Sequence, residues 1–353
     1  MEISPQTQKA GDNAQQIQAE TIIINNGISE ERVRVIFSEM LERAIQEYTC
    51  DAYEKARKRI QEFEKSLASI IERHEQDLSF FAEPAFQFAL KKAQLSSAKT
   101  EDKNDYDLLA ELLDSHIKHN EDRKKKAAIN KALDIVSEID NQALCALTVA
   151  CAFSNLIPNS GNVEEGLNFL EKYFSKLLYL ELPQGRNWLD HLDILSVMRV
   201  SSITRVANTS SHYATLLNGY FCIGILKNSS KHYDAVRMLT KVGISPEFLV
   251  EHELLANHVR LQIASYKSID DLVASEEQKE VIKRVYKLYD SDVDLLKKVS
   301  FNFIKRLEQL PHLHLIQKWW DLIPNYFEFT LVGHLLALTN MRRLSDDTPP
   351  ADI

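Results

Sequence analysis

An all-α fold is the expectation from three features of this 353-residue chain. Nine Gly and nine Pro make up roughly 5% of the residues against about 12% in ordinary proteins, so few positions favour the tight turns that close hairpins. From Ile28 to Glu83 there is neither Gly nor Pro, and apolar residues recur at steps of three and four. After Pro84 the same periodicity continues in shorter segments separated by loop signals.

The first element is the exception. Residues 1–27 are polar and then strand-like: in "AQQIQAETIIIN" alternate positions place Ile17, Ala19, Thr21 and Ile23 on one face and Gln16, Gln18, Glu20, Ile22 and Ile24 on the other. One strand cannot satisfy its own backbone, and no convincing strand follows to pair with it. The same segment of other copies is therefore the expected partner, with Ile17, Ala19, Thr21 and Ile23 as the self-association face. Eight of the 21 residues from Gln6 to Asn26 are Gln or Asn, whose amides ladder between stacked identical strands.

Residues 28–83 read as one long amphipathic helix, a candidate coiled coil. Val33, Phe37, Met40, Ala44, Tyr48, Ala52, Ala56, Ile60, Phe63, Leu67 and Ile70 keep to one face. Ser29 is suited to the N-cap, with Glu30 and Glu31 in the first turn near the positive end of the dipole. Unbroken, this helix would run about 80 Å at about 1.5 Å per residue. "EYTCDAY", 47–53, is its weak point, because Thr, Cys and Asp are poor helix formers. Its stripe needs a partner, in the same chain or in another copy.

Residues 84–343 are expected to be a multi-helix globular domain, and 344–353 a polar, Pro-containing disordered tail. Helices are predicted from Pro84, over "DYDLLAELLDSHIKH" and "RKKKAAINKALDIVSEI", then over 140–156, 162–181, 188–203, 212–226, 231–241, 246–263 and 276–309. "HLHLIQKWWDLI" and "TLVGHLLALTNMRRL" close the series. Trp319 and Trp320 are adjacent, so one is expected to face inward and the other to lie at a boundary. Trp188 should anchor its helix in the core.

Composition excludes several functions. A net charge of −9 argues against a chain that wraps a phosphate backbone, and acidic residues flank the basic runs at 57–59 and 123–126. Cys50, Cys145, Cys151 and Cys222 lie far apart without CxxC spacing, the usage of a reducing cytosol. Residues 1–20 lack the basic and apolar regions of a signal peptide. "ALCALTVACAF", 143–153, is about half the length that crosses roughly 30 Å of hydrocarbon. A soluble cytoplasmic protein without membrane contact follows.

No metal site or cofactor is expected. "HELLANH" places Ala256 where the zinc-protease helix motif needs its second His, and His258, six residues on, falls about 120° around a helix from His252. The His312 and His314 pair sits in a helical stretch, and His116 and His119 have no further ligands nearby. Phosphate-binding, nucleophile-elbow and dinucleotide glycine motifs are missing.

"RNWLDH", 186–191, carries the Arg, polar and His spacing of the all-helical ribonuclease family called HEPN, which it resembles in this stretch. That resemblance implies metal-free RNA cleavage at a dimer interface by Arg186, Asn187 and His191, an Arg steadying the phosphorane while His moves the proton. The competing reading of the same residues is a helix start, with Asp190 and Asp193 near the N-terminal dipole and Trp188, Leu189 and Leu192 packing inward. Arg205 with His212 and Arg306 with His312 show comparable spacing.

The opening "QTQKAGDNAQQIQAETIIINNGISEERVRVIF", with "FAEPAFQFALKKAQ", "YDLLAELL" and "LPQGRNWLDHLDIL", resembles an uncharacterised family of bacterial all-helical proteins. Similar Gln- and GDN-containing openings head proteins of phage-defence neighbourhoods, which implies a defence role. The resulting expectation is a non-enzymatic homo-oligomer, assembled through the N-terminal segment and long helix and acting on a protein partner.

Overall fold

The computed structural model describes residues 30–45, 49–72, 78–119 and 122–345. The strand-like segment with Ile17, Ala19, Thr21 and Ile23, the Ser29 cap and the 346–353 tail lie outside the described residues. Within them the chain is mostly helical, as its periodicity predicts.

The long amphipathic run is two helices, α1 (Glu30–Ile45) and α2 (Cys50–Glu72), with Thr49 outside both. Ala56, Ile60, Phe63, Leu67 and Ile70 of α2 are buried. Their cover comes from α3 (Pro84–Lys99) and α4 (Lys103–Lys118) of the same chain. The stripe of α2 therefore needs no second copy to leave water.

Local capping sets the next boundaries. Asp102 accepts the Asn104 N–H ahead of α4, and Asp122 does so from Lys124 and Lys125 ahead of α5 (Arg123–Ile135). Asp140 caps α6 (Asn141–Asn155), and Asn162 caps α7 (Val163–Leu177). These side-chain acceptors satisfy N–H groups that a helix start leaves unpaired. Helix α6 is buried from Ala143 to Phe153, which accounts for the apolar run there.

From residue 187 short strands appear among the helices. Helix α8 (Asn187–Ile194) ends before Ser196, whose φ of 60° takes the chain into β1 (Met198–Val200). Then come α9 (Thr209–Leu216), β2 (Ile225–Leu226), α10 (Ser230–Lys241), β3 (Leu249–Glu251) and β4 (His258–Leu261). Helices α11 (Glu276–Tyr286), α12 (Val293–Leu307) and α13 (Pro311–Asp321), then β5 (Phe327–Phe329) and α14 (Leu331–Leu344), complete the described chain. β1 pairs antiparallel with β5, Arg199 opposite Glu328, and β2, β4 and β3 form an antiparallel three-stranded sheet in that order.

Four helical expectations are thus corrected. The 188–203 helix stops at Ile194, and 212–226 gives way to turns and β2. The 276–309 run divides because Asp292 caps a new helix, accepting from Asp294 and Leu295. The 246–263 stretch is the β3–β4 hairpin, where Asn257 has a φ of 63° that a continuing helix excludes. Its alternation is masked because Val259, Arg260 and Leu261 are all buried.

Two hydrophobic cores result. The larger runs from Val33 and Phe37 through α2–α9 to α12–α14, and the smaller gathers Ile225, Leu239, Val259, Leu261, Ile269 and Val285 around the three-stranded sheet, α10 and α11. No helix among the described residues is long and apolar enough to cross a membrane.

Trp188 is buried as expected, but the boundary position expected for one of Trp319 and Trp320 is not found. They are 7% and 4% exposed. Helix α13 is packed on two sides, by α7 and by α9, so directions about 100° apart both point inward. Each indole is satisfied: Trp319 Nε1 donates to the Pro183 carbonyl at 2.9 Å and Trp320 Nε1 to that of Ala207 at 2.8 Å.

Candidate functional site

Helix α13 begins with Pro311 after Leu310, a residue without a capping side chain. The cap comes from α7 instead. Glu171 accepts the backbone N–H groups of His312 (3.1 Å) and Leu313 (3.0 Å), and its Oε1 lies 2.6 Å from His312 Nδ1. Burial pushes the Glu171 carboxyl up, but the His312 hydrogen bond and the two backbone donors outweigh it and hold the group below the usual carboxylate range. An ionised carboxylate only accepts, so Nδ1 of His312 carries the proton. A carboxylate at a helix N-terminus is also favoured by the dipole.

This junction sets one side of a cleft of about 870 Å³. One wall is the irregular segment from Leu178 to Gly185. The other is the face of α13 formed by His312, Leu315, Lys318, Trp319 and Leu322, and Trp188 also lines the cleft. Trp188 and Trp319 rings lie 5.6 Å apart, and the Trp319–Pro183 hydrogen bond ties the walls together. The lining is mainly apolar; Glu181, Gln184, His312 and Lys318 bear its charged, amide and imidazole groups. No Ser, Thr or Cys lines it, so the cleft offers a proton-carrying imidazole, the Tyr179 phenol, the Glu181 carboxyl and the Lys318 amine beside an apolar surface.

A second cleft, lined by Ser66, Asp107, Asp114, Lys118 and Arg343 among others, is polar. In it Lys118 pairs with Asp114 at 2.6 Å, and Arg343 donates to the amide oxygens of Asn104 and Asn340.

The ribonuclease-like residues lie in the first turns of α8, beside the apolar cleft. Arg186 Nε donates to both oxygens of Asp190, at 2.8 and 3.2 Å, and Asn187 is exposed. His191 Nε2 accepts the Asp140 backbone N–H at 3.0 Å, and Asp140 in turn caps α6 through Ala143. Asp190 pairs with Arg186, and Trp188, Leu189 and Leu192 are buried.

The other histidines also have structural surroundings. His252 and His258 flank the β3–β4 turn, where His252 Nε2 lies 2.6 Å from the Cys222 carbonyl. His116 is buried against Phe86, and burial with nearby Lys126 lowers its pKa. His119 Nδ1 meets the Ser115 carbonyl at 2.9 Å. Among the described residues no group of three His, Cys, Asp or Glu is placed to hold a metal ion.

Sequence reasoning missed Glu171, His312 and Lys318 as neighbours of one cleft. The available signal was the pair Leu310–Pro311, a helix start with no local cap. The acceptor that completes it lies on another helix.

Residues 27–349 match one family model, described as ":-like". No curated protein and no solved structure matches the chain.

Proposed function

We propose that the chain, which belongs to the ":-like" family, is a non-enzymatic interaction component whose copies associate through residues 12–26. The observation that carries this reading is the cleft between α13 and Leu178–Gly185: its chief surface is apolar and aromatic, and no Ser, Thr or Cys lines it. Such a surface binds a partner by burial. The strand-like alternation of Ile17, Ala19, Thr21 and Ile23 supplies an association segment, and it stands ahead of the part matched by the family model. The resemblance of the opening segment supports a role in bacterial phage defence, in the cytoplasm.

Deleting residues 1–27 is expected to reduce the mass measured by light scattering at least twofold while helical circular dichroism persists. Ile23→Lys should act in the same direction by placing a charge on the associating face. An unchanged mass in both variants, or a monomeric full-length chain at micromolar concentration, overturns the reading. The competing ribonuclease reading predicts cleavage of single-stranded RNA in EDTA, lost in Arg186→Ala and His191→Ala. On the present reading the RNA stays intact.

A further inference from the structure

The polar cleft between α2, α4 and α14 contains two guanidinium groups that no carboxylate pairs with. Arg343 is held by neutral groups: Nε donates to Asn340 at 3.0 Å and Nη1 to Asn104 at 2.7 Å, and its guanidinium carbon lies 5.8 Å from the centre of the Tyr179 ring. These contacts orient the cation and leave its charge in place. Arg342, partly buried beside it, makes neither an ion pair nor a hydrogen bond with another described residue. Both stand in the last turn of α14, where cations complement the dipole, so their position alone is that of an ordinary helix end.

Thr339 sets this place apart. It is 1% exposed and lines the cleft, yet its Oγ1 has no hydrogen-bond partner among the described residues. A buried hydroxyl in that state costs free energy that an incoming acceptor recovers. Residues 339, 342 and 343 are three and four apart, so the hydroxyl and both guanidinium groups share one face of α14. A phosphoryl group matches them, because its several anionic oxygens accept forked N–H donors and an O–H at once. From α4, Asp107 accepts the Ser66 hydroxyl through Oδ1 at 2.6 Å and makes no other polar contact among the described residues, which leaves Oδ2 to accept a donor from a ligand. No Phe, Tyr or Trp lines the cleft, so the stacking that holds nucleotides and single-stranded nucleic acid is missing. Asp107, Glu111 and Asp114 on its α4 side repel a polyanion.

We propose that this cleft, of about 870 Å³, binds a small phosphomonoester of a polyhydroxy compound. The phosphoryl group lies on Arg342, Arg343 and Thr339, and the hydroxyl groups turn toward Asp107. The site is independent of the association segment and of the apolar cleft.

The test is calorimetric titration of the full-length chain, at constant ionic strength, with inorganic phosphate, ribose 5-phosphate and ribose. Ribose 5-phosphate should bind about tenfold more tightly than inorganic phosphate, and ribose without its phosphate should give no heat. Arg342→Gln should weaken ribose 5-phosphate by about tenfold, the scale of one hydrogen bond to a charged group. Thr339→Val separates binding from folding: affinity should fall while the melting temperature of the free chain holds or rises, since the unpaired buried hydroxyl is gone. Asp107→Ala should weaken ribose 5-phosphate and leave inorganic phosphate no weaker. Absence of binding by both phosphate probes, or equal affinity in the natural chain and the two α14 variants, overturns the proposal. A Thr339→Val chain that melts lower when free assigns the hydroxyl to folding and overturns its role here. Inorganic phosphate binding as tightly as ribose 5-phosphate, with Asp107→Ala without effect on either, overturns the polyhydroxy assignment.

Discussion

Replacing Arg260 with Ala is expected to lower the unfolding free energy by about 3–5 kcal/mol, the range for removing one partner of a buried ion pair. Arg260 is wholly buried, with Nε and Nη2 on the two oxygens of Glu253 at 2.9 and 2.8 Å. Its remaining N–H groups reach the carbonyls of Gly161 (2.6 Å), Leu261 (3.0 Å) and Ile263 (3.2 Å), and its guanidinium carbon lies 5.3 Å from the centre of the Tyr220 ring. β4 thereby ties the smaller core to the loop before α7 and the turns after α9. Glycine is required at that crossing, because a Cβ on Gly161 would stand 2.1 Å from the Gln262 carbonyl oxygen and one on Gly219 2.4 Å from that of Ile263. Arg260→Ala leaves Glu253 with backbone donors only, its own N–H and that of Val163, with burial pushing its carboxyl up and the Arg that held it down removed. The paired variant Glu253→Gln with Arg260→Met should therefore cost less than the sum of the two singles in urea titrations. Strict additivity would show that the two side chains contribute independently, and the ion-pair argument would fall.

That node also shows why part of the molecule was legible in its sequence and part was not. In α2 the buried residues recur at steps of four and three because one face meets α3 and α4 while the other meets water. In β4 both faces are covered, so "HVRL" carries a buried Arg where alternation calls for an exposed residue. Caps follow the same division. Asp102, Asp122 and Asn162 stand next to the helices they start, whereas Glu171 caps α13 from 141 positions away in the chain. Neighbouring Trp319 and Trp320 defeat a one-face argument since two different helices cover α13. The cleft was illegible for a related reason: Leu180, Leu315 and Leu322 are ordinary apolar residues in their own segments, and only tertiary packing leaves them exposed beside Trp188 and Trp319.

Acidification should destabilise the chain through His252. Both ring nitrogens are occupied in the neutral form: Nε2–H donates to the Cys222 carbonyl at 2.6 Å, and Nδ1 accepts the Leu254 N–H at 3.2 Å. Adding a proton at Nδ1 would set two donors against each other inside the protein. Burial pulls the imidazole down to about 4 from an ordinary 6.5; the Cys222 carbonyl opposes this, and the Arg260 charge reinforces it. Because the folded pKa is the lower one, the unfolded chain takes up the proton first as pH falls. The stabilisation is complete above pH 6.5, declines between 6.5 and about 4, and is gone below that window. A separation of that size corresponds to about 3 kcal/mol at about 1.4 kcal/mol per unit. Asp105 works in the opposite sense, since burial raises its carboxyl to about 6 and its protonation favours the folded chain as pH falls. The diagnostic quantity is accordingly the stability difference between the natural chain and His252→Gln, whose amide keeps a donor for Cys222 and does not titrate. Urea unfolding at about pH 7.5 and about pH 4.5 should show the advantage of the natural chain shrinking by about 2–3 kcal/mol. A difference that stays constant across that interval would mean His252 titrates alike in the folded and unfolded chains.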